Sequence, residues 1–346
     1  MRVAVVGATG AVGIECLQLL DKKIVLAERV VPVASGRSAG RDLGSELGLS
    51  VPIDPVQDLA AIEPSGFDAA VFCAGAEISR RHAERFAATG TLVVDNSSAF
   101  RMRPNVPLVV PQVNPATLAT RPPANLIANP NCSTIQLVRV LHPLSEIADI
   151  EQVVVSTYQA ASGGGLTGLA ELTATSRDVL DGRPSAEAGK FGAPLAFNLV
   201  PHIGAFDDDG RTHEERKLAG EPRKILGQPT LRVTATAVRV PVFHCHSEAV
   251  YLRTAEPITV AEAEEALSTK PGIRLYPATA AAPYPLPRSV AATDEGRWEV
   301  HVGRVRTDPD DPRGLWLWVV ADNLTVGAAL NALQILGVAT DYGWLR

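Results

Sequence analysis

The sequence predicts an α/β fold in which a domain with a mostly parallel sheet is followed by an α+β domain on a largely antiparallel sheet. In residues 1–130, short and almost continuously apolar strands alternate with helical segments, which is typical of a parallel sheet covered on both faces. Beyond residue 131 the strands become longer and rich in β-branched residues. This change of pattern favours an antiparallel sheet and separates the two predicted domains.

Composition also supports two domains and argues against one class of binding partner. The chain has 346 residues, of which 46% are hydrophobic and 20% are charged, and this length exceeds what one hydrophobic core usually supports. The net charge of −6 and the lack of a Lys/Arg cluster argue against a nucleic-acid partner. We therefore expect domains at 1–130 and 131–325, with a C-terminal helix at 326–346 completing the first.

The sequence further predicts the location of the protein. No apolar run approaches the roughly 20 residues that a membrane span requires, and a strand that begins at Arg2 leaves no room for a signal peptide. The cysteines at positions 16, 73, 132 and 245 lack the spacing of metal ligands. We expect free thiols, no metal site, no membrane partner and a cytoplasmic protein.

The elements of the first domain follow from its apolar runs. Its helices are predicted where apolar residues recur every three or four positions, and its strands where short apolar runs are bounded by turn residues. The predicted strands are Val3–Val6, Val30–Ala34, Ala69–Cys73, Leu92–Asp95, Leu108–Val110 and Leu126–Ala128, and the predicted helices are Val12–Asp21 and Ser79–Thr89.

The elements of the second domain are predicted in the same way. A helical stretch lies near Leu166–Leu180, and Asp181–Gly227 is interpreted as a polar connection rich in proline and glycine. The Ala/Leu spacing of Val326–Leu336 predicts the helix of the tail. The predicted strands are Glu151–Tyr158, Leu231–Val242, Ala249–Thr254, Val300–Arg306 and Leu315–Ala321.

Cys132 is the residue that points most directly to chemistry. It stands between an apolar strand and a helix that is predicted to begin near Ser133, because apolar residues then recur about every three positions. The free N–H groups at a helix N-terminus favour a thiolate and can stabilise an oxyanion. A buried structural cysteine is the alternative, which the preceding asparagines and proline make less attractive.

Three glycines, Gly7, Gly10 and Gly13, follow the first strand and open the first helix. Such a turn lets the backbone approach a pyrophosphate, as in Rossmann-type domains, although the spacing here is G-x-x-G-x-x-G. The second strand ends without the acidic residue that usually binds the ribose of NAD, and Arg37 and Ser38 follow it instead. A solvated loop arginine is the alternative, but a guanidinium suits a 2′-phosphate, and we expect NADP as the cofactor.

Three further segments place polar side chains within or directly after predicted strands. Asn96–Arg101 offers hydroxyls, an amide and a guanidinium for an oxyanion, and Ser156–Gly165 contains Gln159 and a glycine-rich turn. Arg239 precedes His246 by seven residues on the third segment. Each segment alone is more often structural, but their combination with a thiol and a dinucleotide loop requires a common explanation.

These motifs resemble those of the aspartate-semialdehyde dehydrogenase family from one end of the chain to the other. The matching segments are GATGAVG (7–13), ASGRSAG (34–40), DNSSAFR (95–101), VPLVVPQVNP (106–115), NPNCSTIQ (129–136), STYQAASG (156–163), AFNLVPHI (196–203), HEERK (213–217), RVPVFHCHSE (239–248) and DNLTVGAALNALQI (322–335). The resemblance implies NADPH-dependent reductive dephosphorylation of L-4-aspartyl phosphate to L-aspartate 4-semialdehyde and phosphate, through a cysteine thioester. It also implies a role in lysine, threonine, methionine and diaminopimelate biosynthesis.

The resemblance further implies roles for individual residues. Cys132 would be the nucleophile, His246 the acid/base, and Gln159 the residue that orients the substrate or thioester. The substrate-binding residues would be Arg239 for the carboxylate, Glu214 for the amino group, and Arg101 and Lys217 for the phosphate. The residues implied to contact NADP are Gly7, Thr9, Gly10, Ala11, Val12, Gly13, Arg37, Ser38, Ser162, Gly163 and Asn323.

The same resemblance implies a homodimer through the second domain, or a homotetramer. The chain departs from the family pattern at Cys73, where a serine is common, and at Val326, which replaces a frequent lysine. The residues just before His246 are bulkier than the residues that the family pattern has at these positions. His244, expected two residues away on the same strand face, is therefore the alternative catalytic histidine.

Two other functions remain open on the sequence alone. N-acetyl-γ-glutamyl-phosphate reductase would use the same thiol and hydride chemistry on a longer, acylated substrate, although Glu214 and Lys217 favour a free amino acid phosphate. A regulatory or scaffold paralogue that binds only NADP is the non-enzymatic alternative. Such a paralogue would be expected to have lost its nucleophile, whereas Cys132 is present with its implied partners.

Overall fold

The computed structural model describes residues 1–184 and 189–345. Within them the chain forms two compact units, of which the first comprises Met1–Asn131 and the segment from Gly327, and the second comprises Cys132–Val326. Residues 185–188 of the predicted polar connection and Arg346 of the predicted tail lie outside the described residues.

The first unit is built on a parallel sheet. The side chains of Val3, Val5, Ala69 and Val71 are fully buried, as expected for apolar strands with helices on both faces. Helices pack against these strands, and the C-terminal helix Leu330–Asp341 contacts two strands of the sheet. The strands, in the spatial order β3-β2-β1-β4-β5-β6, are β1 Arg2–Val6, β2 Arg29–Ala34, β3 Gln57–Asp58, β4 Ala69–Phe72, β5 Leu92–Asp95 and β6 Leu126–Ala128, and the helices before Cys132 are α1 Ala11–Asp21, α2 Leu43–Leu47 and α3 Ala76–Ala87.

The second unit is built on a mixed sheet. Among the described strands, the three inner pairings are antiparallel and the outer pairings, β10 with β11 and β7 with β8, are parallel. The spatial order is β10-β11-β12-β9-β7-β8, with β7 Ile150–Gln159, β8 Arg232–Arg239, β9 His246–Thr254, β10 Ile273–Tyr276, β11 Val300–Thr307 and β12 Gly314–Ala321. The helices are α4 Cys132–Ser145, α5 Gly165–Leu180, α6 His213–Ile225, α7 Val260–Ser268, α8 Pro287–Val290 and α9 Asp294–Arg297. This architecture confirms the predicted fold class.

The two faces of the second sheet differ within this unit. Helices α4, α6 and α7 pack on one face, where alternate residues of each strand are buried. The other face carries Val154, which is 37% exposed, and two aromatic pairs with ring centroids 5.6 Å apart (Tyr158 and Trp318) and 5.0 Å apart (Tyr251 and Trp316). This apolar and aromatic surface is called the open face below.

Several predicted elements were wrong or incomplete. Leu108–Val110 is not a strand, because Leu108 makes a single bridge to Ala128 and no ladder follows. The connection after residue 181 contains the helix His213–Ile225, which a capping box between Thr212 and Glu215 begins. The structure also adds β3, β10, α2, α7, α8 and α9 to the predicted elements. No helix within the described residues has the length and apolar character needed to span a membrane.

Candidate active site

Cys132 is the first residue of α4, directly after the short link that leaves β6. The helix is buried almost all round, and its apolar residues Ile135, Val138 and Leu141 are each 0% exposed. Cys132 itself is partly exposed. A thiol in this position lies at the positive end of a 14-residue helix, which favours its ionised form.

Gln159 and Arg239 end two neighbouring strands. They are register partners in the parallel pair of β7 and β8, and parallel strands bring such terminal residues to the same edge of a sheet. Both are buried, at 1% and 6% exposure. The Gln159 amide donates a hydrogen bond of 3.1 Å to Glu214 Oε1, so α6 also contributes to this group.

His246 is the first residue of β9 and is fully buried. Its Nδ1 accepts a hydrogen bond of 3.0 Å from the Ala160 backbone N–H. Burial, reinforced by the charge of Arg239, lowers the pKa of His246 to about 3. The imidazole is therefore neutral near pH 7, and its remaining proton is on Nε2, because Nδ1 accepts. This Nε2 has no hydrogen-bond partner among the described residues and is available as a donor.

Arg239 is fixed through the same residue, Ala160. Its Nη1 donates a hydrogen bond of 2.7 Å to the Ala160 carbonyl, and its guanidinium lies over the Phe191 ring at 5.4 Å from the centroid. Burial lowers the pKa of Arg239, and the negative charges of Cys132 and Glu214 oppose that shift. A Cys132 thiolate and the Arg239 guanidinium therefore stabilise each other.

Glu214 and Lys217 lie on the first turns of α6. Glu214 is 5% exposed, and its Oε2 forms an ion pair of 2.9 Å with Lys217 Nζ. Since Glu214 also accepts from Gln159, a carboxylate, an ammonium and an amide are linked in one chain of hydrogen bonds. This arrangement can bind a ligand that carries both positive and negative charge.

Gly163 lies beside the side chains of Arg239 and His246. Replacing it by alanine is expected to displace both side chains. A Cβ there would be 2.6 Å from Arg239 Nη1 and 3.4 Å from His246 Nε2. We expect Gly163→Ala to raise KM about 10- to 100-fold for a ligand that Arg239 binds, because the displaced guanidinium loses its alignment. Steady-state kinetics would measure this. Gly337→Ala is the matched control, since nothing lies within 4 Å of a Cβ there, and equal KM values for both variants would contradict the prediction.

The chain is similar to known proteins over its whole length. The family models for the semialdehyde dehydrogenase NAD binding domain and dimerisation domain match residues 2–121 and 141–326. The chain is 43% identical over 342 residues to the aspartate-semialdehyde dehydrogenase of Aquifex aeolicus, covering 99% of this chain and 98% of that protein. The chain belongs to the aspartate-semialdehyde dehydrogenase family. A second member of the family, from Synechocystis, is 42% identical over 346 residues, covering 100% of this chain and 99% of that protein.

Solved structures of the family have the same fold. The aspartate semialdehyde dehydrogenase II of Vibrio cholerae, solved in complex with ASA, superposes with a TM-score of 0.91 at 38% identity and 98% coverage of both chains. The enzyme of Candida albicans, solved with NADP, has a TM-score of 0.74 at 25% identity and 99% coverage of both chains.

The glycine-rich loop of this family member is closely packed and leads directly into α1. Gly7 has a φ of +84°, and its Cβ position would be 2.9 Å from the backbone of Cys73, so only glycine fits. Gly10 is the N-cap of α1 and Ala11, Val12 and Gly13 form its first turn. The free N–H groups of that turn, with Thr9 just before it, can bind phosphate.

Arg37 and Ser38 belong to a single 3₁₀ turn after β2, Gly36–Ser38. Arg37 is exposed and Ser38 is partly exposed, and the first unit places them beyond the end of the strand next to β1. Asp58 lies beside the same turn, with a carboxylate oxygen 3.0 Å from the Cβ position of Gly36. The turn thus combines a cation and a hydroxyl, as a phosphate requires.

Ser162 and Asn323 come together in the second unit, where Ser162 Oγ and Asn323 Oδ1 are 2.9 Å apart. The neighbouring Asp322 accepts a hydrogen bond from the Leu324 backbone N–H and one of 3.0 Å from Arg297, and these contacts position Asn323. Ser162 and Asn323 are both buried.

Arg101 lies in the first unit and is 6% exposed. Its guanidinium donates hydrogen bonds to the carbonyls of Asn129, at 2.9 Å, and Asn96, at 2.7 Å. Asn129 precedes Cys132 by three residues. The arginine is thus held by the backbone that leads to the nucleophile, and its guanidinium is oriented by two carbonyls.

The structure corrects the placement of His244. It lies in the turn before β9, separated from His246 by Cys245, which has a φ of +70°. The two histidines therefore do not share a strand face. Of the two, only His246 is fully buried and held by Ala160.

Sequence reasoning missed three features of this site. The first is Ala160, whose N–H and C=O hold His246 and Arg239, and whose position after Gln159 was the available signal. The second is Phe191, which had no sequence signal. The third is Glu248, which is fully buried two residues after His246.

Glu248 faces Gln136, one turn beyond Cys132 on α4. Burial raises the pKa of Glu248 well above its usual range, and Gln136 opposes that shift. Neither oxygen of Glu248 has a hydrogen-bond partner in residues 1–184 and 189–345. The surroundings of this buried carboxyl therefore disfavour its ionised form.

Proposed function

We propose that the chain is an aspartate-semialdehyde dehydrogenase that converts L-4-aspartyl phosphate and NADPH to L-aspartate 4-semialdehyde, phosphate and NADP, in lysine, threonine, methionine and diaminopimelate biosynthesis. The observation that carries this proposal is the group formed by Gln159, Arg239 and His246, joined through Ala160, beside a thiol at a helix N-terminus. It combines a nucleophile, a proton donor and a buried cation.

The first step is attack of the Cys132 thiolate on the acyl phosphate. A bond forms between Sγ and the carbonyl carbon, the bond from that carbon to the phosphate oxygen breaks, and phosphate leaves. The first turn of α4 and Arg239 favour the thiolate. Arg101 and Lys217 are the cations assigned to the phosphate.

Bound NADPH supplies the hydride that reduces the thioester. Negative charge then develops on the carbonyl oxygen of the thioester. The N–H groups at the start of α4 can bind this oxyanion. As the tetrahedral species collapses, the carbon–sulfur bond breaks and the Cys132 thiolate leaves, and the Nε2 N–H of His246 donates a hydrogen bond that stabilises the negative charge. The neutral state of His246 in the free enzyme keeps this N–H in place as a hydrogen-bond donor.

The substrate is held at its amino acid end. Arg239 is assigned to the carboxylate, because its buried Nε has no hydrogen-bond partner among the described residues and a charged donor of this kind favours an anion. Glu214 is assigned to the amino group and Gln159 to the carbonyl being attacked. A free amino group next to Glu214 distinguishes this substrate from an acetylated one.

We assign NADP binding to the loop Gly7–Gly13, to Arg37 and Ser38, and to Ser162, Gly163 and Asn323. Replacing Arg37 by alanine is expected to lower the preference for NADP over NAD about 10- to 100-fold, because a charged hydrogen bond to the 2′-phosphate is lost. The ratio of kcat/KM for the two cofactors measures this. Arg41→Ala is the matched control, because Arg41 lies on the same loop but pairs with Glu46, and an unchanged ratio in Arg37→Ala would show the assignment to be wrong.

A phosphate-dependent assay tests the reaction itself. NADP reduction is followed with L-aspartate 4-semialdehyde and, separately, with N-acetylglutamate semialdehyde, each with and without phosphate. We expect phosphate-dependent turnover with the first. A preference for the second would favour N-acetyl-γ-glutamyl-phosphate reductase, and NADP binding without turnover on either would favour the non-enzymatic paralogue.

We further propose a cytoplasmic homodimer formed through the open face. Its exposed Val154 and aromatic pairs are typical of an interface core, and the second unit matches the family's dimerisation domain. The four free cysteines are consistent with a reducing compartment. Light scattering distinguishes a dimer from a homotetramer, and a monomeric mass would contradict the assembly.

A further inference from the structure

A network of side-chain amides lies at one edge of the first sheet. Asn96 and Asn129 directly follow β5 and β6, which pair in parallel, and they therefore lie side by side. Asn331 is the second residue of the C-terminal helix Leu330–Asp341. Asn129 is 0% and Asn331 is 1% exposed. Buried amides are costly unless they are hydrogen-bonded, so their partners show what the network holds in place.

The two carbonyls that hold the Arg101 guanidinium belong to residues of this network. Arg101 Nε donates to the Asn129 carbonyl at 2.9 Å, and Nη2 donates to the Asn96 carbonyl at 2.7 Å. The side chains of the same two asparagines are joined, since Asn129 Nδ2 donates to Asn96 Oδ1 at 2.9 Å. A shift of either asparagine would therefore move an acceptor of Arg101 and change the direction in which the guanidinium points.

Asn331 connects Asn129 to the C-terminal helix. Its Nδ2 donates to Asn129 Oδ1 at 2.6 Å and to the Val109 carbonyl at 3.0 Å. A backbone carbonyl can only accept, so the contact with Val109 identifies the amide nitrogen of Asn331. Asn129 Nδ2 also donates to the Ala328 carbonyl at 3.3 Å, which identifies its nitrogen in the same way. The orientation of the Asn129 side chain therefore depends on the hydrogen bond that Asn331 donates to its oxygen.

We propose that Asn331 is a positioning residue for phosphate binding, and that it acts through Asn129 on the orientation of Arg101. This inference rests on the proposed function, in which Arg101 binds the phosphate. A planar guanidinium binds a phosphate best when two of its N–H groups point at the oxygens, and a small misplacement weakens such a contact. Asn331 does not need to touch the substrate for this effect, because its amide is bonded to Asn129 and to the backbone.

Replacing Asn331 by alanine removes both hydrogen bonds that its side chain donates. We expect the KM for phosphate to rise about 5- to 20-fold, while kcat and the KM for L-aspartate 4-semialdehyde change less than about two-fold. A purely structural loss would instead lower kcat, because less enzyme would be folded, and would leave the KM for phosphate unchanged. Steady-state kinetics with NADP, the semialdehyde and varied phosphate measures this difference.

Gln334→Ala is the matched control. Gln334 lies about one turn further along the same helix and forms a hydrogen bond of 2.8 Å with Gln112 instead, so its loss should change the KM for phosphate by less than about two-fold. Asn331→Ser retains a hydroxyl donor and is expected to raise this KM less than the alanine variant does. The serine variant also keeps the comparison possible if the alanine variant does not fold.

A double-mutant cycle with Arg101→Ala tests the route of the effect. If Asn331 acts through the guanidinium, Asn331→Ala should raise the KM for phosphate by no more than about two-fold when Arg101 is already replaced. Full additivity of the two effects would contradict the inference. An unchanged KM for phosphate in both Asn331→Ala and Asn331→Ser would contradict it as well.

Calorimetric titration of inorganic phosphate into the wild type and Asn331→Ala makes the same comparison without turnover. We expect weaker phosphate binding by the variant. Equal affinities would overturn the inference, even where turnover by the wild type supports the proposed function. Phosphate binding by a wild type that shows no turnover would contradict the proposed function, and the two affinities would still decide the inference. Absence of phosphate binding by the wild type would overturn both.

Discussion

Replacing Cys132 by alanine is expected to reduce turnover about 10⁴-fold or more, because no covalent acyl intermediate can form without the thiolate. The dissociation constant for NADP should change less than about two-fold, because the residues assigned to the cofactor are retained. Steady-state kinetics with L-aspartate 4-semialdehyde and phosphate, together with a fluorescence titration of NADP, would measure both effects.

Cys132→Ser is the matched control for this variant. It keeps the position and approximate shape of the side chain at the start of α4 but supplies a hydroxyl, which is a far weaker nucleophile near neutral pH. We expect low but detectable turnover. Undiminished activity in the alanine variant would reject the covalent mechanism.

Replacing His246 by alanine is expected to lower kcat by about 10²- to 10³-fold, the range for removal of a hydrogen-bond donor to developing negative charge. The alanine variant loses the Nε2 proton and leaves the Ala160 N–H without its acceptor. His246→Asn is the informative companion, because it keeps an N–H donor but cannot titrate. Partial activity in the asparagine variant, compared with alanine in the same assay, would support donation by the neutral side chain.

The dependence on pH distinguishes this role from that of an ordinary histidine base. Because the pKa of His246 is lowered to about 3, its protonation should produce no inflection in kcat/KM near pH 6.5, since this parameter reports the free enzyme. The profile from pH 5 to 9 would be compared with that of His246→Asn. An acidic limb near pH 6.5 that disappears in the variant would contradict the neutral assignment.

The same depressed pKa affects stability. The folded state disfavours protonation, so the contribution of His246 to the free energy of unfolding is present above about pH 6.5 and is lost as the pH falls towards 3. Urea unfolding of the wild type and His246→Asn at pH 7 and pH 4.5 should therefore show a relative loss for the wild type at the lower pH.

The errors in the predicted fold have local and long-range causes. The helix His213–Ile225 had a signal in the sequence, since Thr212 and Glu215 have the spacing of a capping box, but its charged residues obscured the apolar face. Leu108–Val110 is apolar enough for a strand. A segment becomes a strand only when a neighbouring strand forms a ladder of hydrogen bonds with it, and β6 makes only a single bridge to Leu108.

The sequence by itself determined the fold class, the glycine-rich turn and the family, because these depend on residue order and periodicity. It also identified Cys132, Gln159, Arg239 and His246 as the site residues to test. Tertiary structure decided the state of these groups: the Ala160 hydrogen bond that leaves the His246 proton on Nε2, the Phe191 ring under Arg239, and the burial of Glu248. Protonation and orientation depend on desolvation and on partners far away in the chain, and neither can be read from local sequence.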